Sequence, residues 1–232
     1  MFDRLARRYR LANRAITCGR DRAWRRAVIR AAAVRPGGRL LDVGAGTGDL
    51  AQAALARDPR LLAVALDFAG GMLAAGRRAD PRRRILWCRG DARRLPFPDG
   101  AFDAVVSGYL LRNVPDTAEA LREQVRVVQP GGRVVCLETT PPVVHRAPRL
   151  TRFYLRFVLP ALGWLVTGDR RAYAYLGGTT EAFLAPEELA AQMRSAGLNS
   201  VTWSLGTFGV VAIHTGLRPA EGGPEMGGQD GR

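Results

Sequence analysis

The run Leu40-Leu41-Asp42-Val43-Gly44-Ala45-Gly46-Thr47-Gly48-Asp49 carries an apolar strand into an acidic residue, a G-x-G-x-G turn and a helix start. Glycines at 44, 46 and 48 remove the Cβ atoms that would block a tight turn and the close approach of a ligand to backbone. A dinucleotide fingerprint would place a small residue at position 49, where a pyrophosphate meets the positive helix end. Asp49 stands there instead, and a carboxylate repels phosphate. A nucleoside with a cationic amino group suits that charge better, which points to S-adenosylmethionine (SAM). Asp42, Gly44, Gly46, Thr47 and Gly48 are the first cofactor-binding candidates.

Asp67 closes the apolar run Val64-Ala65-Leu66. A carboxylate there can accept both ribose hydroxyls in charge-assisted hydrogen bonds, while its plainer use is as a helix cap. Asp91, within Gly90-Asp91-Ala92, can accept from an adenine amino group. Taken alone, it reads more readily as a loop carboxylate beside Arg93 and Arg94. Asp42, Thr47, Asp67 and Asp91 at successive strand ends together favour a nucleoside cleft. Ala92 and Ser107 complete the cofactor set.

The elements that must position these residues follow from hydrophobic periodicity. Phe2, Leu5, Tyr9, Ala12 and Ile16 recur at helical spacing, as do Trp24, Ala27, Val28 and Ala31, so two amphipathic helices precede the sheet. Strands are expected near 39–44, 61–66, 84–88, 102–107 and 132–138, with helices near 48–56, 70–78 and 116–128. Pro36-Gly37-Gly38 and Pro130-Gly131-Gly132 read as turns leading into strands. This alternation predicts a doubly wound parallel sheet with its ligand at the carboxyl ends of the strands. After Glu138 the rhythm breaks into a Thr/Pro-rich link and helical stretches to about 182, then resumes with a helix over 186–196. Strands near 200–205 and 209–214, joined by Gly206-Thr207-Phe208, must be antiparallel neighbours. The expected whole is a Rossmann-like α/β fold: a seven-stranded, mostly parallel sheet with an antiparallel C-terminal hairpin and helices on both faces. One domain over 1–217 is expected, with N-terminal helices over 1–35, a substrate-side helical insertion over 139–183, and a disordered tail over 218–232.

All basic residues are arginine, and the net charge is +14. Residues 1–40 hold twelve arginines against Asp3 and Asp21, a basic face suited to nucleic acid or an anionic membrane surface, or simply to solvated helices. Cys18, Cys88 and Cys136 are far apart without a C-x-x-C, which indicates neither a metal site nor a disulfide framework and fits a reduced, cytoplasmic setting. The apolar run from Phe157 to Val166 contains Pro160 and Gly163 and falls short of the roughly 20 residues that span a bilayer. In the segment 149–158, arginines at 149, 152 and 156 face apolar neighbours, as in a helix lying at a membrane interface or roofing an apolar tunnel.

The run GDARRLPFPDGAFDAVV from Gly90 to Val106, with the glycine loop, resembles class I SAM-dependent methyltransferases. More narrowly it resembles the ubiquinone/menaquinone C-methyltransferase family of the UbiE/MenG type. Met1-Phe2-Asp3 with Tyr9 and Asn13, Trp24, Leu111-Arg112-Asn113-Val114, Gln129-Pro130-Gly131-Gly132-Arg133, Tyr173-x-Tyr175-Leu176 and the strand Gly209–Gly216 carry the likeness over about 1–217. The resemblance implies methylation of a ring carbon of a prenylated quinol, such as demethylmenaquinol, by a membrane-peripheral cytoplasmic enzyme for which a homodimer is allowed. It implies catalytic roles for Arg112, Asn113 and Tyr9. Arg112 stays protonated at neutral pH, so it can stabilise a phenolate but cannot be the base. Asn113 would orient the quinol oxygen or a water, and Tyr9 would relay the proton. Read without the resemblance, these are a surface ion pair, a helix cap and a core aromatic.

Arg10, the stretch Ser107-Gly108-Tyr109-Leu110 and the stretch Gly177-Gly178-Thr179 depart from the family pattern on the substrate side. Another lipid or aromatic acceptor therefore stays open as an alternative. A nucleic-acid methyltransferase is disfavoured, because Ser107-Gly108-Tyr109-Leu110 stands where amino-directed enzymes carry N/D-P-P-Y/F. Cys136 also lacks the preceding proline of a cytosine nucleophile. His145 and His214 receive no catalytic role; a histidine on the closing strand reads as structural.

Overall fold

The structure, a computed structural model, describes residues 20–141, 183–206, 209 and 211–220. The first N-terminal helix, the 149–158 segment, most of the 139–183 insertion, and positions Tyr9, Arg10, Cys18, His145 and 177–179 lie outside the described residues.

Seven strands form one sheet: β1 (Arg39–Val43), β2 (Leu62–Asp67), β3 (Ile85–Arg89), β4 (Phe102–Gly108), β5 (Val128–Thr139), β6 (Asn199–Gly206) and β7 (Val211–Leu217). Their order is β3-β2-β1-β4-β5-β7-β6. β1 to β5 pair in parallel, and β7 runs antiparallel between β5 and β6. The described helices are α1 (Asp21–Ala32), α2 (Asp49–Arg57), α3 (Gly70–Arg78), α4 (Thr117–Val127) and α5 (Pro186–Ser195), with a 3-10 turn at Leu111–Asn113. No helix among the described residues is long and apolar enough to cross a membrane.

Parallel strands covered on both faces read as continuous apolar runs, which is why Leu40, Leu41, Val43, Ala63, Val64, Ala65 and Leu66 are all buried. Alternation sorts them. Leu41, Val43, Val105, Val134 and Cys136 pack with Leu121 of α4 and Leu189 of α5. Leu40, Ala63, Ala104, Val106, Val135 and Leu137 pack with Val28 of α1 and Ala51 of α2 on the other face. Two helix starts are locally encoded. Asp116 accepts the Glu119 N–H at 2.8 Å to cap α4. Pro186 opens α5, where Glu188 reaches back to the Ala185 N–H at 2.8 Å.

Three boundaries differ from expectation; β7, expected over 209–214, runs over Val211–Leu217. β5 begins at Val128, so Pro130-Gly131-Gly132 lies inside the paired strand, with a register shift between Phe102 and Ala104 on β4. A Cβ on Gly132 would meet the Asp103 carbonyl at 2.7 Å, so only glycine lets the irregular strand pass. Arg218, placed in the tail by sequence, belongs to the fold. Its guanidinium donates to the carbonyls of Val125, Arg126 and Val128 at 3.1, 2.8 and 2.6 Å, and its backbone pairs with Gly131 and Gly132. It closes the orphan carbonyl end of α4.

Candidate functional site

The glycine loop between β1 and α2 is held open by its backbone. Gly44, Gly46 and Gly48 have φ of 68°, 57° and 74°, a region other residues avoid. A Cβ on Gly44 would stand 2.7 Å from Leu110 Cδ1, and one on Gly48 would stand 2.5 Å from the Trp87 ring. Asp67 at the end of β2 pins this loop. Its Oδ2 accepts the Gly46 N–H at 2.7 Å and its Oδ1 accepts the Ala69 N–H at 2.8 Å. A carboxylate at this strand end is an acceptor of the kind that ribose hydroxyls donate to.

Asp42 and Thr47 are buried and shape the loop from within. Asp42 Oδ2 accepts the Ala51 N–H at 3.0 Å, fastening α2 to β1, and the Thr47 hydroxyl donates to Asp49 Oδ2 at 3.3 Å. Burial pushes the Asp42 carboxyl up to about 8; the Ala51 N–H opposes this, and the nearby Asp49 and Asp67 add to it. Asp49 departs from its expected part. Arg25 of α1 bridges it at 3.1 Å and Asp21 at 3.2 Å, so its charge is matched inside the protein. With Asp49 matched by Arg25 and Asp42 pushed up by burial, the acidic character of the loop rests chiefly on Asp67.

Asp91 takes the plainer form anticipated for it. It accepts from the Arg93 guanidinium at 2.7 Å and from the Arg93 N–H at 2.9 Å, and the guanidinium bond holds its carboxyl below the usual range. An adenine amino group would share it with Arg93. Ala92 is buried in the core beside it. Ser107 is buried in the sheet, opposite Val43 and Cys136, whose thiol burial pushes up to about 12. It supports the cleft from the sheet interior. Phe68, which sequence reasoning missed, follows Asp67 with 70 % of its surface exposed and the Arg89 guanidinium 5.9 Å from its ring. An aromatic directly after the acidic strand end was the available signal, since its face can stack on a base.

Arg112 and Asn113 stand on the turn after β4. Tyr109 there adopts φ of 58°, its N–H bonds the Leu137 carbonyl at 2.8 Å, and its own carbonyl accepts from Asn113 Nδ2 at 2.7 Å. A bulky residue held in that conformation is strained, and such strain gathers at working sites. Arg112 Nη1 donates to Thr139 Oγ1 at 2.6 Å while its guanidinium lies 5.2 Å from the Tyr109 ring. Glu138, unremarked in the sequence, accepts the Leu111 N–H on Oε1 at 2.7 Å. Leu110 of this turn is the side chain packed on Gly44, so the Arg112 turn and the glycine loop touch. His214 is structural as expected: buried, with Nε2 2.9 Å from the Pro186 carbonyl and its pKa lowered by burial.

The residues present fit SAM. The bare left-handed backbone admits a close ligand, and the Asp67 carboxylate at the end of β2 suits a cationic nucleoside. Sheet order, loop and acidic strand ends define a class I SAM-dependent methyltransferase. The chain belongs to the ubiE/COQ5 methyltransferase family, whose profile matches residues 1–218. A demethylmenaquinone methyltransferase of Thermus thermophilus is 46% identical over 221 residues, covering 94% of this chain and 100% of the relative. The ubiquinone/menaquinone biosynthesis C-methyltransferase UbiE of Desulfotalea psychrophila is 41% identical over 218 residues, covering 94% and 89%. Among solved structures, a SAM-dependent methyltransferase of Thermotoga maritima matches with TM-score 0.64 at 18% identity, covering 94% of this chain and 97% of that one. The [4+2]-cyclase SpnF matches with TM-score 0.66 at 21% identity, covering 86% and 82%. The fold alone therefore does not fix the reaction.

Proposed function

We propose that the protein methylates a ring carbon of a prenylated quinol, demethylmenaquinol in the leading case, as a peripheral enzyme at an anionic membrane surface. The observation that carries this reading is the contact between the Arg112 turn and the glycine loop through Leu110 and Gly44. It brings a permanent cation beside the place where the methyl donor would lie. Bound SAM supplies an activated methyl group, so the protein must align the acceptor and make its carbon nucleophilic. Gly44, Gly46, Gly48 and Asp67 would hold the cofactor, with Phe68 against its base and Asp91 at its amino group. Arg112 stabilises the phenolate oxygen whose charge feeds the ortho carbon, and its bond to Thr139 keeps the guanidinium in place. Asn113, tied to the Tyr109 carbonyl, sets the turn and orients the quinol oxygen. Tyr9, outside the described residues, is assigned the relay of the proton.

Membrane contact is supported by the chemistry of a polyprenyl substrate and by the exposed arginines 22, 26 and 30 on one side of α1. The test is direct. Purified protein given methyl-deuterated SAM and demethylmenaquinol should yield menaquinol heavier by the labelled methyl, and cells lacking the protein should accumulate a quinone one methyl lighter. Failure of both sends the search to other aromatic or lipid acceptors.

A further inference from the structure

The reaction proposed above needs a group that takes the quinol's hydroxyl proton, and Arg112 cannot be it. Glu138 is the last residue but one of β5, one strand from the Arg112 turn, and is 1 % exposed. Its Oε1 accepts the Leu111 N–H, whereas Oε2 is buried with no hydrogen-bond partner among the described residues. A buried acceptor left without a partner is costly, so its retention asks for a use. The neighbouring residue Thr139 holds Arg112 Nη1 at 2.6 Å, so the carboxyl and the guanidinium belong to one small assembly.

We infer that Glu138 is the proton acceptor of the reaction, its free Oε2 taking the quinol hydroxyl proton directly or through one water while Arg112 steadies the phenolate left behind. This rests on the quinol reading. The O–H electron pair stays on oxygen and raises electron density at the ortho carbon. That carbon forms the bond to the methyl group as the methyl–sulfur bond breaks with its pair on sulfur. The same carbon then releases its hydrogen as a proton, the ring regains aromaticity, and the oxygen is reprotonated. One proton per turnover passes to solvent, and Glu138 returns to carboxylate.

The surroundings suit a proton that comes and goes. Burial pushes the Glu138 carboxyl up to about 7, against the pull of Arg112 and of the Leu111 and Leu110 N–H groups. A base titrating near the working pH transfers protons most effectively. Among the described residues, the neighbouring titratable groups on the strands are Cys136, pushed up to about 12, and His214 on β7, pushed down; both are neutral at pH 8. Tyr109 completes the set from the turn.

The test compares the full-length protein with Glu138→Gln and Glu138→Asp. Glutamine keeps a carbonyl acceptor for the Leu111 N–H and removes the base. Expected for Glu138→Gln are SAM affinity unchanged by calorimetry, KM within a few-fold, kcat lower by about 10² or more, and loss of the rate rise near pH 7. Glu138→Asp should retain part of the rate and the pH limb. An independent readout uses a hydroxynaphthalene probe whose phenolate absorbs apart from its phenol. It should ionise when bound to the wild-type protein at pH 8 and stay neutral in Glu138→Gln. Equal kcat and pH profile in Glu138→Gln overturn the inference, and so does a variant that unfolds, since Glu138 would then be only an anchor for the turn. A wild-type protein that methylates no quinol instead overturns the proposed function, a separate result.

Discussion

Asp67 serves the loop before it serves any ligand, through its bonds to Gly46 and Ala69. Asp67→Ala should therefore weaken SAM binding by about 10- to 100-fold in calorimetry, from lost charge-assisted bonds and a loosened loop. Arg112→Ala should leave SAM affinity unchanged and lower kcat by about 10²-fold. Equal SAM affinity for wild type and Asp67→Ala would show that the cleft is misplaced. The glycines and Asp67 were legible because each has a local reason, a strand end or a left-handed turn. Glu138 was not, because Leu137-Glu138-Thr139 shows one more acidic residue and only tertiary burial marks it. The Arg25 bridge to Asp49 was hidden for the same reason, since the partners lie 24 positions apart on different helices.

Strands and helices were legible where alternation was strict, and β1 to β4 begin and end within a residue of expectation. The elements that differ are those whose limits are set by partners. β5 starts early because β4 pairs with Val128, and Arg218 joins the fold because α4 ends without a cap of its own beyond the Gln124 carbonyl. Arg218→Ala should lower stability by about 1–3 kcal/mol, seen as a lower melting temperature, with SAM affinity per folded molecule unchanged. A tail residue of no structural consequence would leave the melting temperature alone.

For the molecule as a whole, its buried carboxyls set the response to pH. Glu138 rises from 4.5 to about 7 and Asp42 from 3.8 to about 8, so the native state keeps protons that the unfolded chain has lost. Their contribution is complete below the unfolded values and fades as pH climbs through about 7 and 8. Asp58, held near 2 by Arg60, and Asp91, held low by Arg93, act in the opposite sense and weaken the fold on acidification. Maximum stability should fall in the acidic range, and Glu138→Gln should flatten the decline between about pH 4.5 and 7 in urea titrations; an unchanged slope would contradict it. A cation drawn to the loop should also expel a proton from Asp42, so SAM binding heats at pH 8 should vary with the buffer's ionisation enthalpy. Trp87 lies where a Cβ on either Gly48 or Gly76 would strike its ring. The indole is thus wedged between the loop and α3 as a built-in optical gauge. A chain with phenylalanine at 24, 164 and 203 should signal the cofactor's arrival through its fluorescence alone.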